Sequence, residues 1–222
     1  MNKFSKGIEY LILKYLAVPK VPEIDHSKNT IICIGDSITF GAGVNGKKTM
    51  TWEYFLENKL GEDYQVLNYG ISGRTLLSTG DYPYSDEKQF AASQEALADT
   101  YIIMLGTNDS KPYNWDESRY ARELEEFVNL YRSLPNDPKV ILMTPPTCYI
   151  DPKIGMVGFD IDGDVVSGAI YNIVSNMAEK YELELIDLNK YTANHEDWFV
   201  DGVHPNELGN REIAEYIFER IN

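Results

Sequence analysis

From about residue 30 to the end, short apolar runs alternate with longer amphipathic ones. This rhythm restricts the possible folds more than any other feature of the chain. The runs Ile31–Ile34, Val66–Tyr69, Tyr101–Leu105, Val140–Met143 and Leu183–Leu188 are mostly rich in β-branched or aromatic residues and too short for helices. A strand that is apolar on both pleat faces must be covered on both, so these read as interior strands. Helical spacing falls between them, near 50–60, 86–98, 116–133, 165–181 and 206–221; in the fourth, Ile170, Val174, Met177 and Tyr181 share one face. Five β-then-α units in succession predict an α/β fold, with a central parallel five-stranded sheet covered by helices on both sides. The chain's 222 residues suit one such domain, expected over 29–222.

Residues 1–28 precede the rhythm. Ile8, Leu11, Ile12, Tyr15 and Leu16 lie on one helix face before Pro19 and Pro22 stop it. The expectation is an amphipathic helical arm packed on its own domain. A homodimer contact, or a membrane-surface contact through Lys3, Lys6, Lys14 and Lys20, is the alternative role. No apolar stretch approaches the roughly 20 residues that span a bilayer. Glu9 and Lys14 interrupt the apolar core an export signal would need, so a cytoplasmic location is expected. With 20 Lys plus Arg against 35 Asp plus Glu, the formal net charge is −15, which repels phosphate backbones and disfavours a nucleic-acid partner. Cys33 and Cys148 sit in apolar runs and read as small buried hydrophobes.

In a parallel α/β sheet, ligands bind beyond the carboxyl ends of the strands. Four polar clusters follow strand ends or precede the last helix: Gly35-Asp36-Ser37-Ile38-Thr39, Asn68 to Thr75, Gly106-Thr107-Asn108-Asp109, and Asp201-Gly202-Val203-His204-Pro205. Topology predicts that they share one edge. A serine hydroxyl needs a base to take its proton, and that base needs an orienting partner. Ser37 sits at a strand end, His204 is the only histidine at such a rim, and Asp201 lies one turn before it. Acyl transfer also builds an oxyanion, for which the Ser37 N–H, the unobstructed Gly73 N–H and the Asn108 side-chain amide are candidate donors. Any one of these residues alone would read as a cap or a turn. The set carries the chemistry.

In order and spacing, these four blocks resemble the SGNH hydrolases, the GDSL-type esterase and lipase superfamily. The resemblance covers the chain from about Thr30 onward and departs at Ile38, where the name-giving motif has Leu. It implies a flavodoxin-like three-layer α/β/α sandwich. By the same resemblance Ser37 is nucleophile, His204 base and Asp201 its orienter, while Ser37, Gly73 and Asn108 form the oxyanion hole. The chemistry then calls for no cofactor or metal. The partner is a small-molecule ester, and a first block of the GDSIT type points to sugar acetylesterases. A lysophospholipase or thioesterase acting on longer acyl chains is the nearer rival, and a glycan-binding module without turnover the more distant one.

Other features carry less. Gly41 to Thr49 nearly matches a phosphate-binding loop, but Lys48 stands where the Mg²⁺-binding hydroxyl must follow the lysine. Asp160 to Asp164 lacks EF-hand spacing and reads as a solvated acidic turn. His26 and His195 are expected at the surface. Tyr82, Tyr84, Tyr113, Trp115 and Trp198 are candidate sugar-stacking rings. Pro145 to Gly163 is too long for an ordinary connection, which makes it a candidate lid or binding wall. Ile150, Ile154, Met156, Val157, Phe159 and Ile161 would be its apolar lining.

Overall fold

The computed structural model describes residues 18–45 and 49–221. The helix expected in the N-terminal arm and the Lys47–Lys48 pair of the near-phosphate loop therefore fall outside the described residues. Strands β1 (Asn29–Gly35), β2 (Tyr64–Gly70), β3 (Thr100–Met104), β4 (Lys139–Met143) and β5 (Glu184–Ile186) form one sheet in the order β2-β1-β3-β4-β5. Every neighbouring pair is parallel, with Ile31 opposite both Val66 and Thr100. This is the flavodoxin-like order, whose reversal between β1 and β3 opens a crevice at the carboxyl edge.

Side-chain alternation along the strands divides the core in two. Ile32, Ile34, Tyr69, Tyr101 and Ile103 face one layer, which holds α3 (Lys88–Glu95), α4 (Glu117–Arg132) and α6 (Tyr171–Lys180). Ile31, Cys33, Val66, Ile102, Met104 and Ile141 face the other, which holds α2 (Trp52–Leu60), α7 (Leu188–Thr192) and α8 (Glu207–Ile221). The predicted three layers are therefore present. Cys33 is fully buried and Cys148 partly so; both are free thiols. Residues 18–28 pack on the domain: Val18 and Val21 lie against the first core layer, and Gln89 Nε2 donates to Pro19 O at 2.7 Å.

The structure differs from the periodicity in places. The predicted last strand stops at Ile186, because Asp187 accepts a hydrogen bond from Lys190 N and starts α7, taking Leu188 into a helix. The predicted helix over 165–181 begins with a single turn, α5 (Gly163–Val165), capped by Asp162, and runs through a π-wound stretch, Val166–Ile170, before α6. A four-residue helix, α1 (Ser37–Phe40), follows β1 at once. The Asp36 carboxylate accepts from Ile38 N to start it, and Gly41, at φ +85°, ends it. Among the described residues no helix is long and apolar enough to cross a membrane.

Candidate active site

All four polar clusters meet at the carboxyl edge of the sheet. Ser37 is the first residue of α1, so its N–H has no partner within that helix and remains available at the rim. Its Oγ lies 2.9 Å from His204 Nε2. His204 comes from the turn before α8, at a distance of 167 residues along the chain. That turn is tightly tied: Val200 N donates to His204 O at 3.0 Å, and Asn206 N to Trp198 O at 2.7 Å. Asn210 Nδ2 donates to Pro205 O.

Asp201 uses both carboxylate oxygens. Oδ1 accepts from Val203 N and His204 N at 3.0 and 2.8 Å, and Oδ2 stands 2.8 Å from His204 Nδ1. A carboxylate there keeps the ring proton on Nδ1, leaving Nε2 as an acceptor for the serine proton. Burial pushes the Asp201 carboxyl up, but the hydrogen bond and charge of His204 outweigh it and hold the group below the usual carboxylate range. Gly202 is required between them. Its φ is +80°, and a Cβ there would sit 2.1 Å from Tyr149 O.

Gly73 occupies a turn at φ +82°, closed by Arg74 N to Ile71 O. Among the described residues no group accepts its N–H. The Arg74 guanidinium, fully buried, fixes this turn: it donates to Ser72 O at 2.8 Å and to Glu87 Oε1 at 3.0 and 2.6 Å. Asn108 Nδ2 donates to Arg74 O at 3.1 Å, while its second hydrogen has a long contact, 3.4 Å, with Asp36 Oδ2. Asn114 Nδ2 in turn holds Asn108 O at 2.9 Å. Asn108 is thus tied to the Gly73 turn through Arg74 O and to the residue before Ser37 through Asp36 Oδ2.

The sequence alone does not single out Asp36, Arg74, Glu87, Asp109 and Asn114, which the fold brings to the site. Asp36 caps α1 and touches the Asn108 amide; burial raises its carboxyl above the usual range. Asp109, fully buried, accepts from Leu76 N and Leu77 N at 3.0 and 2.8 Å, joining the third block to the second. Burial lifts its carboxyl to about 7, against the pull of those two N–H groups, and the Asp36 charge adds to the rise. The signal available was two acids adjoining the two catalytic candidates, Asp36 before Ser37 and Asp109 after Asn108.

The expected stacking rings need correction. Tyr84 is fully buried and donates to Tyr69 O, and Trp198 is buried against His195 and Tyr191, so neither is a surface platform. His195 is likewise only partly exposed. Of that group only Tyr113 is largely exposed. A ring that does reach the site is Phe159, from the long connection, with its centroid 4.9 Å from that of His204. Of the six apolar residues on that connection, Ile150, Ile154, Met156 and Phe159 are exposed, whereas Ile161 is buried.

Several known proteins resemble this chain. An acetylxylan esterase from Xylanibacter ruminicola is 33% identical over 228 aligned positions, covering 94% of this chain and 45% of its own length. A multidomain esterase from Ruminococcus flavefaciens is 24% identical over 92% of this chain and 30% of its own length. The chain therefore spans less than half the length of either relative. Among solved structures, an aryl esterase from M. smegmatis has a TM-score of 0.70 at 23% identity, covering 87% of this chain and 98% of that one. A carbohydrate acetylesterase from Sinorhizobium meliloti has a TM-score of 0.69 at 22% identity, with the same coverage of both chains. At such identities these two speak to the fold. The family model described as GDSL-like Lipase/Acylhydrolase matches residues 33–212, a span that includes all four site-bearing clusters. The chain belongs to that family.

Proposed function

We propose that the chain is a serine esterase that removes short acyl groups, O-acetyl foremost, from a carbohydrate, with residues 29–222 as the catalytic domain. The observation that carries this reading is the unbroken line from Ser37 Oγ through both ring nitrogens of His204 to Asp201 Oδ2, at 2.9 and 2.8 Å. Ser37 Oγ attacks the ester carbonyl as His204 Nε2 takes its proton. The Asp201 carboxylate stabilises the imidazolium that forms. The oxyanion is held by the N–H groups of Ser37 and Gly73 and by the second hydrogen of Asn108 Nδ2, which leaves its long contact with Asp36. His204 returns the proton to the departing alkoxide, then activates water to release the acid from Ser37. Support for the carbohydrate acetyl ester comes from the acetylxylan esterase, which aligns over nearly the whole chain.

The test is hydrolysis of p-nitrophenyl acetate by the wild type and by Ser37→Ala and His204→Ala. Wild-type turnover that both variants lose supports the reading, and a variant retaining wild-type turnover refutes it. A second reading, hydrolysis of longer acyl chains, is favoured by the exposed Ile150, Ile154, Met156 and Phe159. A p-nitrophenyl ester series decides between the two. Preference for acetate supports the first, and preference for octanoate or longer supports the second.

A further inference from the structure

Phe159 stands out because packing does not explain its position. Its side chain is 56% exposed, yet its ring lies against the imidazole of His204, with centroids 4.9 Å apart and ring planes at 77°. Phe159 and Asp160 are consecutive non-glycine residues at φ +63° and +59°, in the left-handed region that such residues seldom occupy. Gly158, which would tolerate that conformation, stands just before them. The flanks hold the backbone there. Ile161 is buried with Val166 and Val203, Ile161 N donates to Gly158 O at 3.2 Å, and Asp162 N donates to Ser110 Oγ at 3.1 Å. Strain that presents an apolar ring to solvent beside a reactive group is a signature of a binding surface rather than of a core.

The chemistry of acyl transfer says what that surface meets. The imidazole that deprotonates the nucleophile must next protonate the leaving oxygen, so the alcohol half of the ester lies within reach of His204 Nε2. The acyl half lies on the side of the oxyanion donors. A ring packed against His204 therefore borders the alcohol. Acidic residues outnumber basic ones on this side: Asp151, Asp160, Asp162 and Lys153 share its connection and Asp201 holds His204, in a chain of net charge −15. An anionic alcohol would be repelled there. A neutral polyol suits the place, with its C–H face on the ring.

Resting on the proposed esterase activity, we infer that Phe159 is the platform for the sugar ring that bears the ester, and so determines specificity for the alcohol. The experiment compares kcat/KM for an acetylated xylo-oligosaccharide and for ethyl acetate, whose alcohol is too small to cover the ring. The wild type, Phe159→Ala and Phe159→Trp are measured side by side. The expected result is that Phe159→Ala lowers the oligosaccharide-to-ethyl-acetate ratio about tenfold or more, mainly through KM, and that Phe159→Trp restores most of it. A ratio within about twofold of wild type in Phe159→Ala overturns the inference. So does an equal loss on both esters with a shifted pH profile, which would make Phe159 a support for His204. Selective loss on ethyl octanoate relative to ethyl acetate would move the ring to the acyl side and also overturn it. Failure of the esterase reading looks different: the unaltered protein would show no Ser37-dependent turnover of either ester, and the platform would fall with it.

Discussion

Replacing Asp201 by Asn separates geometry from proton bookkeeping. The asparagine carbonyl can keep the bonds that Oδ1 accepts from Val203 N and His204 N, so the turn should survive. Its Nδ2, however, now faces His204 Nδ1, where Oδ2 stood at 2.8 Å. A donor facing Nδ1 requires that nitrogen to be unprotonated, which moves the ring proton to Nε2. That nitrogen lies 2.9 Å from Ser37 Oγ and can then no longer accept the serine proton. In triads where the same change forces the wrong tautomer, kcat falls about 10⁴-fold, or about 5.5 kcal/mol of transition-state stabilisation. Because the Asp201 carboxyl titrates below the usual range, the wild-type group is ionised at any ordinary assay pH, and the comparison is not confused by its protonation. The assay is p-nitrophenyl acetate hydrolysis at neutral pH, with urea midpoints to check the fold. A variant within about tenfold of wild-type kcat would refute the tautomer argument.

Three further outcomes follow from the same contacts. Asn108→Ala should lower kcat about 10²–10³-fold with little change in KM, and an unchanged kcat would remove it from the oxyanion site. Gly202→Ala should cost on the order of 3 kcal/mol by urea denaturation, since it adds a clash with Tyr149 O to a left-handed φ; an unchanged midpoint would contradict this. Asp109 is held at about 7 in the fold and falls to about 3.9 in the unfolded chain, so the native state holds its proton more tightly between those values. The stability this contributes is fully present below about pH 4 and is lost as pH rises through about 7. Asp109→Asn should flatten that part of the stability-pH slope in thermal melts, and a slope parallel to wild type would contradict the assignment.

The strands were legible because burial on both faces leaves an uninterrupted apolar run, as in Ile31–Ile34, too short and too β-branched for a helix. The rim position of Ser37 followed from that reading, since a parallel sheet delivers its strand ends to one edge, whereas His204 lies well beyond the last strand and was placed there by the polar turn that precedes the last helix. What stayed hidden depends on contacts made across long stretches of sequence. Arg74 stands in a turn, and only the fold brings it to Glu87 and sets its carbonyl before Asn108. Tyr84 is an aromatic residue in polar surroundings, and nothing local says that its hydroxyl reaches Tyr69 O in the core. Phe159 read as lining for an acyl trough, because its left-handed backbone and its place against His204 are set by the burial of Ile161, two residues on.

In the proposed mechanism His204 makes the hydroxyl of Ser37 a nucleophile. Its most direct test is incubation with a fluorophosphonate, followed by peptide mass spectrometry. The expected result is stoichiometric modification of Ser37, at a rate that collapses in His204→Ala. An unmodified Ser37 in the wild type, or equal rates in the two proteins, would contradict it.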